Sequence, residues 1–143
     1  MSDLEALGLG VEYVPFKVEL THPETGLPLY DENGVQAFIE IDGQNSEAGE
    51  KLTRKAALRL QQQRRAGREA PIDLDRAREE NADALAQVTR SWHLVNLDGK
   101  AVPAEAFPCN AANARQLYSR KATKWMADQV GAAFRDEANF IKT

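Results

Sequence analysis

Two histidines, one cysteine and a run of basic residues are the side chains from which this chain could build chemistry. A nucleophilic triad needs an imidazole base, and only His22 and His93 can supply one. His22 falls in a proline-containing turn, and His93 follows Trp92 at an expected helix end. Neither neighbours the strand–turn–helix setting of an activated nucleophile. Cys109, in Phe107-Pro108-Cys109-Asn110, stands just ahead of an expected helix, whose dipole could lower a thiol pKa. No histidine or lysine adjoins it in sequence, so packing is the plainer role. A single cysteine also excludes a disulfide within the chain. Asp31, Glu32, Glu40 and Asp42 crowd one stretch, but acidic turns are usually solvated. Two distant histidines make a dedicated zinc or copper site an unfavoured reading, and Gly8-Leu9-Gly10 is no phosphate loop. The expectation is no catalytic residue, no cofactor and no metal.

The basic run Lys51, Arg54, Lys55, Arg59, Arg64, Arg65 and Arg68 is the next candidate. Spacings of three and four place part of it on one helical face. No aromatic residue is interleaved, as a single-strand stacking platform would require, so nucleic acid is not the expected partner. The net charge of −4 hides an uneven distribution: residues 1–45 carry −8, 46–70 carry +4, 71–109 carry −3 and 110–143 carry +3. An acidic head and a basic stretch favour head-to-tail contact, inside one chain or between copies. The expected self-association residues are Lys51, Arg54, Lys55 and Arg59, meeting the acidic part of another copy in a homo-oligomer.

Positioning these groups requires a core, and 143 residues with 43% apolar content suffice for one domain without disulfide or metal. Phe16-Lys17-Val18-Glu19-Leu20 alternates at strand period. Turns at 21–26 and 31–34 separate it from Leu27–Tyr30 and from Val35–Ile41, and Asn33-Gly34 is a strong two-residue hairpin signal. From Ser46, which can cap a helix ahead of Glu47 and Glu50, the period becomes helical. Leu52, Ala56 and Leu60 (or Ala57 and Leu58) form a stripe, and Gly67 through Pro71 breaks the chain. A second helix starts at Asp73 or Asp75 and carries Leu74, Ala77, Ala84, Leu85, Val88 and Trp92 on one face. Asn110 caps a short helix with Ala114, Leu117 and Tyr118 inward. A last helix from about Ala122 aligns Trp125, Gln129, Val130, Phe134 and Ile141, with Met126 just off that stripe. The predicted fold is α+β: a small N-terminal antiparallel sheet of two or three strands, then about four helices. One domain spans 1–143, with an acidic β-hairpin part (1–45) and a helical part (46–143). No stretch is apolar enough to span a membrane, and Met-Ser-Asp-Leu-Glu-Ala lacks the basic and apolar regions of a secretion signal, so a cytoplasmic setting is expected.

The order of motifs goes further than composition. Pro23-x-Thr25-Gly26, then Ile39-x-Ile41-x-Gly43-x-Asn45-Ser46, resembles the opening of the tail assembly chaperones of long-tailed bacteriophages. Trp92, the Asp98-Gly99 turn, Phe107, Asn113-Ala114-x-x-Leu117-Tyr118, Trp125-x-x-x-Gln129-Val130, Phe134 and Asn139-Phe140 continue the resemblance over about residues 16–141. One departure stands out: relatives tend to carry Ser/Thr-x-Glu where this chain has Pro108-Cys109-Asn110-Ala111. The resemblance implies a non-enzymatic factor that binds and solubilises the tape-measure protein and helps tail-tube subunits polymerise around it. It would act in the host cytoplasm and be shed before the virion is complete. The expected partner-binding residues are Trp125, Met126, Val130 and Phe134, with Tyr118, unless that stripe closes the protein's own core. The competing readings are a permanent tail-completion or head–tail connector protein, and a small nucleic-acid-binding regulator using segment 51–68.

Overall fold

The computed structural model describes residues 6–65 and 74–142. Residues 1–5, the expected break across 67–71 with Arg68 of the basic run, and a helix start at Asp73 lie outside the described residues. Three strands, β1 (Phe16–Glu19), β2 (Phe38–Ile41) and β3 (Thr89–His93), form one antiparallel sheet in the order β1-β2-β3. Among the described residues four α-helices accompany it: α1 (Glu47–Arg65), α2 (Leu74–Val88), α3 (Ala111–Ser119) and α4 (Lys124–Phe134). The fold is α+β, as the sequence predicts.

The third strand is where sequence and structure part. The second helix was expected to run to Trp92, but it ends at Val88, and Thr89–His93 pairs with β2. Thr89 makes the switch. Its hydroxyl donates to the Leu85 carbonyl, four residues back, and accepts from the Tyr118 phenol, both at 2.7 Å. The helical ladder is thereby closed while the backbone turns extended. Asp42 N–H then bonds to Val88 C=O at 2.8 Å and joins β3 to β2. Val18, Ile39 and Ile41 point inward from the sheet and are buried. Each such side chain contributes about 1.5–3 kcal/mol relative to exposure.

The β1–β2 connection is an arm rather than a plain hairpin. Leu29 N–H bonds to Leu20 C=O and Ala37 N–H to Leu29 C=O, so Leu27–Tyr30 sits against both flanks through isolated bridges. Asn33-Gly34 does not form the two-residue turn that the dipeptide favours. That turn needs left-handed backbone at both positions, and only Gly34 has it, with φ +78°. Gly34 instead closes a longer loop in which Asp31 N–H bonds to Val35 C=O.

α1 starts as predicted, with Ser46 Oγ accepting from Gly49 N–H at 3.0 Å. Its stripe does not end up inward: Ala48, Gly49 and Leu52 face the body, and every side chain described from Thr53 to Arg65 is exposed. Gly49 is needed at the root of this helix. A Cβ there would fall inside the Gly43 carbonyl oxygen and 2.7 Å from that of Gln44. Asn110 caps α3 as expected, accepting from Asn113 N–H at 2.8 Å. On α4, Met126 is not off the core stripe but buried in it, with Ala127 and Val130. Ile141 lies beyond the helix and bridges Tyr13.

Gly49→Ala is expected to lower stability by about 1–3 kcal/mol, the usual cost of overpacking, despite alanine's better helix propensity. Thermal denaturation checks this: a melting temperature at or above that of the parent means the helix root is not close-packed. Deleting 122–143 removes Met126, Val130 and Phe140 from the core, and circular dichroism should find the remainder unfolded.

Candidate functional site

Asp31 and His93, 62 residues apart, meet between the 31–35 loop and β3. His93 Nε2 lies 2.8 Å from Asp31 Oδ2, with the carboxylate side chain 4% exposed and the imidazole 29%. The other carboxylate oxygen accepts from Asn33 N–H at 2.8 Å and Val35 N–H at 2.9 Å. The acidic turn expected to be solvated thus buries its first carboxylate. The Val35 N–H is the main influence holding Asp31 below the ordinary carboxylate range. Burial opposes it, and the His93 and Asn33 bonds assist. No sequence signal could pair these two residues, because the contact depends on β3 being a strand.

Beside this pair opens a cleft of about 380 Å³, lined by Trp92, Leu94, Val102, Phe107, Pro108 and Cys109, with His93 at its edge. Trp92 stacks on Phe107 with centroids 5.5 Å apart and planes 6° from parallel, and its indole N–H donates to the Phe107 carbonyl at 3.3 Å. Trp92 is half-buried here, on a strand rather than a helix. Cysteine, histidine and carboxylate therefore share one neighbourhood. Burial pushes the Cys109 thiol up, away from the thiolate that nucleophilic attack needs. His93 engages Asp31 through Nε2, and among the described residues no hydrogen bond joins its ring to Cys109. Among the described residues, no group of three or more His, Cys, Asp or Glu is arranged to hold a metal, and no helix is long and apolar enough to cross a membrane.

The expected partner stripe is divided. Tyr118, Met126 and Val130 are buried core residues, and burial pushes the Tyr118 phenol up against the opposing effect of its bond to Thr89. Trp125 and Phe134 are half-buried against that core, and Phe134 meets Phe140 edge to face at 6.4 Å. Three of the five are thus unavailable at the surface, because α3 turns Tyr118 and α4 turns Met126 and Val130 into the core. The basic residues fare differently. Lys51, Arg54, Lys55 and Arg59 are all exposed on α1. Lys51 stands 3.9 Å from Glu47, and Arg59 is held 2.9 Å from Glu80 of α2.

What sequence reading missed is the far half of the α1–α2 pair. Leu52 touches the core, but Ala56 and Leu60, one and two turns on, carry the same stripe past the body. On α2, Leu85 and Val88 are buried while Leu74 and Ala77, earlier on that face, are exposed. Leu60 is 57% exposed and Leu74 73%. The signal lay in the stripe itself: its length exceeds what a three-stranded sheet can cover.

No protein-family model matches the chain, and neither a curated protein nor a solved structure matches it significantly.

The depressed Asp31 pKa gives stability that is present above the ordinary value of 3.8 and lost as pH falls through the lower folded value. Urea titrations across the acid range should therefore find the parent losing stability more steeply than Asp31→Asn, which keeps an acceptor but no charge. Identical slopes would remove Asp31 from the acid response.

Proposed function

We propose that this protein is a tail assembly chaperone of a long-tailed bacteriophage. It binds the tape-measure protein in the host cytoplasm, keeps it soluble, promotes tail-tube polymerisation around it and leaves before the virion is complete. The observation that carries the reading is the α1–α2 pair, which projects exposed leucines beyond a core that has no need of them. A tape-measure protein is expected to expose long apolar helical stripes, and another helical surface can cover such a stripe.

The ordered motifs add support, because the residues that carry the resemblance have evident work in this fold. Gly26 adopts φ +71° and Gly99 φ +83° at their turns. Gly43 packs under the Phe140 ring, Ser46 caps α1, Trp92 stacks on Phe107, and Asn113 Nδ2 donates to Pro108 C=O at 2.8 Å. Gln129 bonds both backbone groups of Thr21. Residues that build a scaffold would keep their order in a family whose surfaces vary. The reading is non-enzymatic: the single thiol is pushed towards its protonated form, and among the described residues no hydrogen bond joins it to either imidazole.

With α4 in the core, the proposed binding surface moves from Trp125, Met126, Val130 and Phe134 to the distal halves of α1 and α2. Co-expression with the tape-measure protein tests it. The parent is expected to hold that protein in the soluble fraction, and Leu60→Ser with Leu74→Ser is expected to release it while keeping the parent's melting temperature. A tape-measure protein equally insoluble with and without the parent defeats the reading. Finding the chain in purified virions would favour the permanent-component alternative instead.

A further inference from the structure

The uncovered half of the α1–α2 pair has a charge as well as an apolar stripe. Residues 55–65 and 74–81 hold six bases (Lys55, Arg59, Arg64, Arg65, Arg76 and Arg78) against Asp75, Glu79 and Glu80. Glu80 is bound by both Arg59 and Arg76, at 2.9 and 3.4 Å. That contact crosses from α1 to α2 and ties the two helices together beside the exposed leucines. The helical period puts Arg64 beside the Ala56–Leu60 line and Arg78 beside the Leu74 line, and both side chains are exposed. A leucine surface flanked by cations is complementary to one class of helix, an apolar stripe edged by carboxylates.

Two other occupants fit less well. A second copy would have to offer the acidic 1–45 part, yet most of its described carboxylates are engaged within the chain. Glu12 meets Lys142, Asp31 meets His93, and Glu40 and Asp42 bracket Arg90. Glu32 accepts from Ala101 N–H, which leaves Glu19 and Glu24 as the free carboxylates among the described residues of that part. Nucleic acid would gain nothing from Leu60 and Leu74, and α1 and α2 contain no aromatic side chain on which a base could stack.

We infer that the distal α1–α2 surface selects an acidic amphipathic helix, a leucine-type stripe flanked by Glu or Asp. This rests on the proposed function and specifies which stretch of the partner is covered. The preference belongs to the flanking cations, and the leucines supply contact without choosing between partners.

Fluorescence anisotropy on the full chain tests this with two designed helical peptides that share one leucine stripe, one flanked by glutamate and one by lysine. The glutamate peptide is expected to bind about tenfold or more tighter at low salt. The gap should narrow as the Debye length falls from about 10 Å at 0.1 M to about 3 Å at 1 M. Arg64→Glu with Arg78→Glu should reverse the preference, and Leu60→Ser with Leu74→Ser should weaken both peptides. Equal affinities, no binding by either peptide, or a DNA oligonucleotide binding more tightly than the glutamate peptide would overturn the inference. The peptide pair on the unmutated chain decides this even where a variant folds poorly. If the tape-measure protein stays insoluble while the glutamate peptide binds, only the proposed function fails. If Arg64→Glu with Arg78→Glu solubilises the tape-measure protein as well as the parent does, only the charge preference fails.

Discussion

The fold depends on β2 having a strand on each side. Ile39 and Ile41 are fully buried on a strand of four residues, and such a strand cannot hold its backbone groups paired with only one neighbour beside it. β1 arrives from the preceding residues, but β3 arrives from some fifty residues later. Two helices intervene, and the second must stop where its last turn can hand the chain to the sheet. Thr89 is the residue where that happens, and its hydroxyl links α2, β3 and, through Tyr118, α3. Losing that junction would cost the sheet an edge and α3 its alignment together.

The same constraint explains the treatment of the open edge. Among the described residues β1 has no fourth strand beside it, and a bare edge invites pairing with other chains. Here Thr21, just past β1, donates its N–H to the Gln129 side chain at 3.0 Å and accepts back from the same amide at 2.9 Å. A glutamine from α4 thus does what a neighbouring strand would do. At the other end, Val14 N–H bonds to Phe140 C=O and Lys142 N–H to Glu12 C=O, so the described ends of the chain close over each other. Charged Lys17 and Glu19 occupy the short stretch between. α4 and the C-terminal residues are therefore committed to the sheet, and the face that carries Met126 and Val130 is taken up by the core.

How much of this was legible follows from what kind of information each feature needs. Caps were legible, because Ser46 and Asn110 act within three residues. The α+β class was legible from the change of period at Ser46. β3 was not: Leu85, Val88 and Trp92 fit a helical spacing, while Thr89 and Trp92 fit a strand equally well, and only the unpaired side of β2 decides between them. The Asp31–His93 pair inherits that ambiguity, since it exists only once β3 is placed. The exposed leucines were not legible for a different reason. Periodicity says which residues share a face, but not how far the neighbouring layer extends, and here the sheet ends before the stripe does.

A stripe that outruns its core sets a limit on how tightly any partner can be held there. Burying a leucine contributes about 1.5–3 kcal/mol, whereas association costs about 4–15 kcal/mol in lost freedom. Leu60 and Leu74, with the small Ala56 and Ala77, therefore make a weak contact alone, and flanking charges add orientation and encounter rate more than depth. Under the proposed role, weakness at one site is an advantage. Several copies along one long helical partner would be retained together if contacts between neighbouring copies or tail subunits raise the local concentration. Each could still leave singly as growing tube covers the stripe beneath it. A larger apolar face would hold the partner more firmly, but it would also have to be displaced against that gain, and exposed in the free protein it would drive aggregation.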